Sequence, residues 1–154
     1  MPDERDVVTV ERVIPAPPEK IFDLIADPDR HREIDGSGSV VGAKQGSQRL
    51  GLGSKFGMSM RIGMPYSMTS TVIEFEENRR LAWQTRGPGR VGARVGGRIW
   101  RYELEPVDGG TRVRETWDIT RESALTKGLV RRDANAARKN MTATLENIER
   151  IVTS

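Results

Sequence analysis

Apolar and polar residues alternate with a period of two through most of this chain, and recur at steps of three and four near its end. Val8, Val10 and Val13, set against Thr9 and Glu11, predict a first strand over Val7–Ile14. Pro15, Pro17 and Pro18 stop it, and Pro18 can open a helix because the first helical turn has no use for its missing N–H. Glu19–Ala26 then puts Ile21, Phe22, Leu24 and Ile25 on one face, and Asp27-Pro28 ends it, because a residue before proline is pushed out of helical geometry. A second short turn is predicted at Asp29–Ile34, followed by a break at Asp35-Gly36-Ser37-Gly38.

Six more strands are predicted. Ser39–Ala43 is the weakest and can run on towards Leu50. Ser54–Met64 alternates most clearly, with Phe56, Met58, Met60, Ile62 and Met64 on one face. Tyr66–Glu76 sets Thr71, Ile73 and Phe75 against Val72, Glu74 and Glu76, and the opposite parity of Tyr66 and Met68 predicts a bulge near Ser70. Arg80–Arg86 aligns Leu81, Trp83 and Thr85, and Gly96–Glu105 aligns Trp100, Tyr102 and Leu104. After a hairpin turn at Asp108-Gly109-Gly110, Thr111–Thr120 aligns Val113, Glu115, Trp117 and Ile119. A helix over Ala124–Val152 closes the pattern, capped by Thr120 or Ser123. Its stripe is Leu125, Leu129, Ala136, Ala137, Met141, Thr144, Leu145, Ile148 and Val152, and a kink is expected at Gly128.

A lone amphipathic helix must bury its stripe, and the only large partner in this order of elements is one antiparallel sheet with an apolar face. The fold class is therefore α+β: a curved antiparallel sheet of about seven strands gripping a long C-terminal helix, with two short helices after the first strand. A bent sheet around a helix tends to leave a hollow, and a hollow can hold a ligand. The length of 154 residues fits a single domain, 1–154, with a real core.

Several segments resemble the START-related superfamily, the helix-grip fold of plant pollen allergens, polyketide cyclases and lipid-transfer domains. They are Val10–Pro28, Arg80-Leu-Ala-Trp83, Trp100-Arg-Tyr-Glu-Leu-Glu-Pro106, Gly110-Thr-Arg-Val113 with Glu115, and the terminal helix. His31-Arg-Glu-Ile-Asp-Gly-Ser-Gly38 is similar to small bacterial members of polyketide cyclase/dehydrase type. The resemblance implies the helix-grip fold for nearly the whole chain. It leaves function open, because the superfamily hosts carriers, cyclases, hydrolases and regulators on one scaffold.

Composition narrows the chemistry. With no cysteine and one histidine the usual zinc and iron sites cannot be built, so no metal and no cofactor is expected. The N-terminus has no apolar signal core and no stretch approaches roughly 18 apolar residues, so no membrane span is expected and a cytoplasmic location is. Gly87-Pro-Gly89-Arg-Val-Gly92 has the letters of a dinucleotide-binding turn but leads into another strand, which makes it a mobile loop that could rim a cavity mouth. The series Arg86, Arg90, Arg94, Arg98, Arg101 carries part of a net charge of +3; it reads first as solvated strand and loop surface, and second as a patch for phosphate or RNA.

The inward faces are the main candidates. Met58, Met60, Met64, Trp83, Trp100, Tyr102 and Trp117 should face the terminal helix, and Met and Trp make an adaptable lining for a flat or irregular apolar ligand. The same residues could form a plain packed core. Glu115 shares their phase: it is either a polar anchor or general acid/base in an apolar pocket, or a structural partner of an inward arginine, or a residue turned outward by a bulge. Met141 on the helix joins the ligand-binding candidates; Asn140 beside it could hydrogen-bond a ligand or a strand carbonyl, and the hydroxyls of Tyr66 and Tyr102 could orient a ligand. His31 could be a general base oriented by Asp35, or a surface or capping residue.

The chain is thus expected to bind a small hydrophobic molecule (a lipid, polyketide or aromatic metabolite) as a monomer or homodimer. No nucleic-acid partner is expected. The alternatives are a cyclase/aromatase-type enzyme using the pocket Glu, Tyr and His, and a ribosome- or RNA-associating protein of toxin type, as the resemblance implies.

Overall fold

Residues 3–36, 40–43, 48–62, 64–87 and 96–154 are described by the structure, a computed structural model; the side chains of 40–43, 59–62 and 64–67 lie outside that description. The strands are β1 (Val7–Ile14), β2 (Val40–Ala43), β3 (Lys55–Ile62), β4 (Met64–Glu76), β5 (Arg80–Arg86), β6 (Gly96–Val107) and β7 (Gly110–Asp118). Six of them have seven residues or more, and the four-residue β2 trims one edge of the sheet. From β2 to β7 each strand pairs antiparallel with the next in sequence, and β1 adds to the free side of β7, giving the order β1-β7-β6-β5-β4-β3-β2.

Turn chemistry explains this meander. Asn78 adopts a positive φ of 63° in the β4–β5 turn, a conformation asparagine tolerates better than most residues. Gly109 at φ 88° closes the β6–β7 hairpin, where Val107 pairs with Gly110.

Between β1 and β2 the chain crosses the sheet through α1 (Pro18–Ile25), a 3-10 turn (Pro28–Arg30) and α2 (His31–Ile34). Pro18 stands in the first turn of α1, and Ile21, Phe22, Leu24 and Ile25 are all buried. The Asp27 side chain accepts the Asp29 N–H at 3.1 Å and starts the second turn. Gly36, just past α2, lies against the terminal helix so closely that a Cβ there would fall 2.1 Å from the Asn140 carbonyl oxygen. Its N–H instead donates to Thr144 Oγ1 at 2.9 Å.

Two expectations need correction. The bulge in β4 falls between Val72 and Glu74, not near Ser70. Ser70 and Val72 are consequently buried on the inner face, and Phe75 returns to it after the bulge to pack edge-on against Phe22. The run Thr71-Val-Ile73 is β-branched on both parities, so alternation could not place the irregularity.

The terminal helix is also broken elsewhere than at Gly128. It comprises α3 (Ala124–Val130), capped by Ser123, a 3-10 turn (Arg131–Asp133) and α4 (Ala134–Thr153). At the break Arg131 grips the buried Asp6 with both arms, Nε to Oδ1 at 2.6 Å and a terminal nitrogen to Oδ2 at 3.0 Å. This ties the break to the residue that precedes β1. The tighter turn resets the helical phase, so Leu125 and Leu129 leave the stripe and are 75% and 67% exposed. The buried stripe of α4 is Ala134, Ala137, Met141, Thr144, Leu145, Ile148 and Val152; Ala136 is exposed.

Candidate functional site

The buried apolar side chains form two clusters. One joins α1, α2 and strands β3 to β7 to the C-terminal half of α4, through residues such as Phe22, Phe56, Leu81, Leu145 and Ile148. The other joins β1 and the end of β7 to the helix break and the first half of α4, through Val8, Trp117, Ile119, Val130, Ala137 and Met141. Among the described residues, only Val10 and Trp100 pack partly buried against both. Between the clusters lies a cavity of about 380 Å³.

Its floor is set by strand register. Trp83 pairs with Trp100, and Trp100 with Trp117, so the chain's three tryptophans form one row across β5, β6 and β7. Two residues along the same face, Tyr102 pairs with Glu115. Ala137, Asn140, Met141 and Thr144 of α4 form the opposite wall. His31 and Ile34 of α2 close one side with Phe56, Met58 and Met68. Arg98, Asp133 and Ala136 border it as well, and the Ser70 and Thr85 hydroxyls, also on the lining, are 2.9 Å apart.

Glu115 is only 3% exposed. Burial pushes its carboxyl up to about 8; a hydrogen bond from the Tyr102 hydroxyl opposes that rise, and the nearby Asp35 charge adds to it. Tyr102 is itself held well above the ordinary tyrosine range, by burial first and then by Glu115. The Oε1 atom of Glu115 has no hydrogen-bond partner among the described residues. The partner is thus a tyrosine, and the inward arginine foreseen as one structural role for Glu115 is replaced by it.

His31 is not a surface residue. It is buried, its ring stacks on Trp83 with centroids 5.0 Å apart, and it meets Phe56 edge-on. Its Nε2 lies 2.8 Å from the Ile25 carbonyl oxygen, which can only accept, so Nε2 carries the ring proton. Burial lowers its pKa and keeps the ring neutral, with the Ile25 bond and the charges of Asp27 and Asp35 working the other way.

Of the candidates read from the sequence, Met58, Trp83, Trp100, Tyr102, Glu115, Trp117, Asn140, Met141, His31 and Asp35 border this one cavity. The side chains of Met60, Met64 and Tyr66 lie outside the described residues, as do residues 88–95 of the glycine-rich loop with Arg90 and Arg94. Arg101 pairs with Glu74 at 2.6 Å on the far face of the sheet. Arg98 reaches the cavity rim, with Nε 3.9 Å from Oε1 of the fully buried Glu122. Sequence reasoning passed over Met68, Ser70, Thr85 and Arg98. Arg98 shares the parity of Trp100 and Tyr102, and Thr85 that of Trp83, so both were within reach of the pattern.

A family model described as polyketide cyclase / dehydrase and lipid transport matches residues 5–153. The chain belongs to this family. A curated relative, the uncharacterized protein Rv0088 of Mycobacterium tuberculosis, is 37% identical over 118 residues, which are 75% of this chain and 49% of that protein. The chain therefore spans about half the length of the curated relatives it matches. Among solved structures, protein NE0264 of Nitrosomonas europaea superposes with a TM-score of 0.74 at 15% identity, over 99% of this chain and 97% of that one. DynU16, described as a protein in the dynemicin biosynthetic locus, superposes at a TM-score of 0.67 and 15% identity, over 99% of this chain and 48% of its own. These likenesses show the helix-grip fold of the polyketide cyclase/dehydrase family. Among the described residues no helix is long and apolar enough to cross a membrane.

Proposed function

We propose that this family member binds one small, largely apolar molecule in the space between the tryptophan row and α4. The observation that carries the reading is the split core. A sheet and helix with this much apolar surface could close on each other, yet the two clusters stay apart around a cavity with an indole row on one side and small residues such as Ala137 on the other. Apolar burial, about 25 cal/mol per Å², would supply most of the affinity, and the few polar groups would set orientation. The family description, which includes lipid transport, and the biosynthetic locus of DynU16 support a metabolite of this kind.

A second reading is favoured by one feature. Glu115 and Tyr102 form a neutral acid pair in the same cavity, and such a pair can donate a hydrogen bond to a bound carbonyl oxygen and stabilise the charge that gathers there as an enol forms, as a cyclase or dehydratase needs. His31 has a smaller part in this reading, since its Nε2 proton is committed to Ile25.

Binding is tested with N-phenylnaphthylamine, an uncharged dye that brightens in apolar surroundings. Saturable one-to-one binding is expected. Ala137→Trp, which fills the cavity from α4, is expected to weaken it at least about tenfold with the protein still folded by circular dichroism. Equal binding by the filled variant, or none by the parent chain, contradicts the reading.

A further inference from the structure

Helix α3 carries an apolar face that packs against nothing in the fold. Leu125 and Leu129, one helical turn apart, are 75% and 67% exposed. Ala124 and Gly128 beside them are exposed as well, and a Cβ built on Gly128 meets nothing within 4 Å. The opposite side of the helix is fastened down by buried Val130 and by the Ser123 N–H, which donates to the Gly96 carbonyl oxygen at 2.7 Å. The two leucines therefore point outward from a fixed frame.

The surroundings of this face are basic. Residues 121–139 hold six arginines and lysines against two acids. Of the two acids, Glu122 is buried and faces Arg98, and Asp133 is exposed. Lys127 and Arg131 are drawn towards Asp6 and Asp3. Arg121, just before α3, and Arg132, just after it, are exposed and have no ion pair among the described residues. Arg132 follows Leu129 by three residues into the 3-10 turn, a spacing that brings it onto the leucine side. Arg138 and Lys139, both exposed, extend the basic surface along α4.

We propose that α3 docks this protein on the surface of an anionic lipid bilayer, with Leu125 and Leu129 entering the boundary between head groups and acyl chains and Arg121 and Arg132 meeting the lipid phosphates. Apolar burial and attraction to anionic lipid add at such a surface, so leucines flanked by arginines suit it. The size of the patch favours a bilayer over a protein. Seven residues make a helix about 10 Å long, and its exposed side cannot supply the roughly 800 Å² per partner that a stable protein–protein interface buries. A second copy would also bring two basic patches face to face. Nucleic acid would meet the arginines but gains nothing from the leucines. The docking goes beyond the ligand-binding reading and does not depend on it. Asp133, which borders the cavity, follows Leu129 by four residues, so the docked face lies beside the cavity rim.

The test is cosedimentation in low salt with vesicles of phosphatidylcholine alone, or of phosphatidylcholine mixed with an equal part of phosphatidylglycerol. The mixed vesicles are expected to bind at least about tenfold more tightly, and to lose most of that advantage when added salt screens the surface charge. Leu125→Ser combined with Leu129→Ser is expected to weaken binding to the mixed vesicles at least about fivefold. Arg121→Gln combined with Arg132→Gln is expected to weaken it roughly tenfold. Gly128→Leu, which adds an apolar side chain in open space, is expected to strengthen it about threefold. All three variants should bind N-phenylnaphthylamine like the parent when no vesicles are present, because these positions lie outside the cavity lining. That readout separates a failure of docking from a failure of the cavity. Binding of the parent to neither kind of vesicle, or equal binding with and without the two leucines, overturns the proposal. A dimer in analytical ultracentrifugation that the double leucine variant abolishes also overturns it, and gives the face to a second copy.

Discussion

Replacing Glu115 with glutamine is expected to make the protein more stable at pH 8, and progressively less so in more acid solution. The folded chain holds the Glu115 proton up to about pH 8, whereas the unfolded chain releases it near 4.5. Between those values the folded state carries one proton more than the unfolded state, so each rising pH unit removes about 1.4 kcal/mol of stability. Summed over the interval, the disadvantage relative to a neutral side chain reaches roughly 4–5 kcal/mol and stays constant above it.

His31 has the opposite slope. Its folded pKa lies below 6.5, so its contribution is complete above that value and is lost as the pH falls. From about pH 6.5 to 8 the Glu115 slope therefore stands without that opposition. Glutamine has the shape of glutamate, and its amide oxygen can still accept from Tyr102, so Glu115→Gln removes the titration and little else. Urea unfolding of both proteins across this range should give curves that diverge by about 1.4 kcal/mol per pH unit. Parallel curves would show that Glu115 is not a buried, protonated acid.

Two tryptophans in the same row should part ways when truncated. Trp117 is 1% exposed and holds the second cluster together, between Val8 of β1 and Ala137 and Met141 of α4. Trp117→Ala is expected to cost about 3–5 kcal/mol, because the lost burial is compounded by a void that a sheet–helix interface cannot close. Trp100 already faces a cavity, so its removal enlarges a space and does not create one. Trp100→Ala is expected to cost less than half as much by urea unfolding, and to weaken binding of N-phenylnaphthylamine at least about tenfold. Equal stability losses, or full binding by the Trp100 variant, would place both indoles in an ordinary packed core.

What could be seen in the sequence follows the range of the forces involved. Alternation in β5, β6 and β7 is a local property, and by itself it turns Trp83, Trp100, Tyr102, Glu115 and Trp117 inward. That the tryptophans line up as one row depends on register, which the turns fix between strands and which no single strand reveals. Ser70 stayed hidden because β-branched residues fill both faces of β4 and mask the bulge. Leu125 and Leu129 continued the helical spacing, but the Arg131–Asp6 pair, between residues 125 positions apart, breaks the helix and turns them outward. His31 gave no periodic signal: its burial comes from stacking on Trp83, more than fifty positions away in the chain.

A fluorescent probe asks what the cavity can hold; its own content is the more direct question. Native mass spectrometry of the protein purified from its natural host should show a non-covalent one-to-one adduct on the order of a few hundred daltons, the size that a cavity of this class encloses. The adduct should be missing when Ala137→Trp protein is prepared in the same way. Bare chain alone in both preparations, under conditions that keep the protein folded, would contradict a binding role for the space beneath α4.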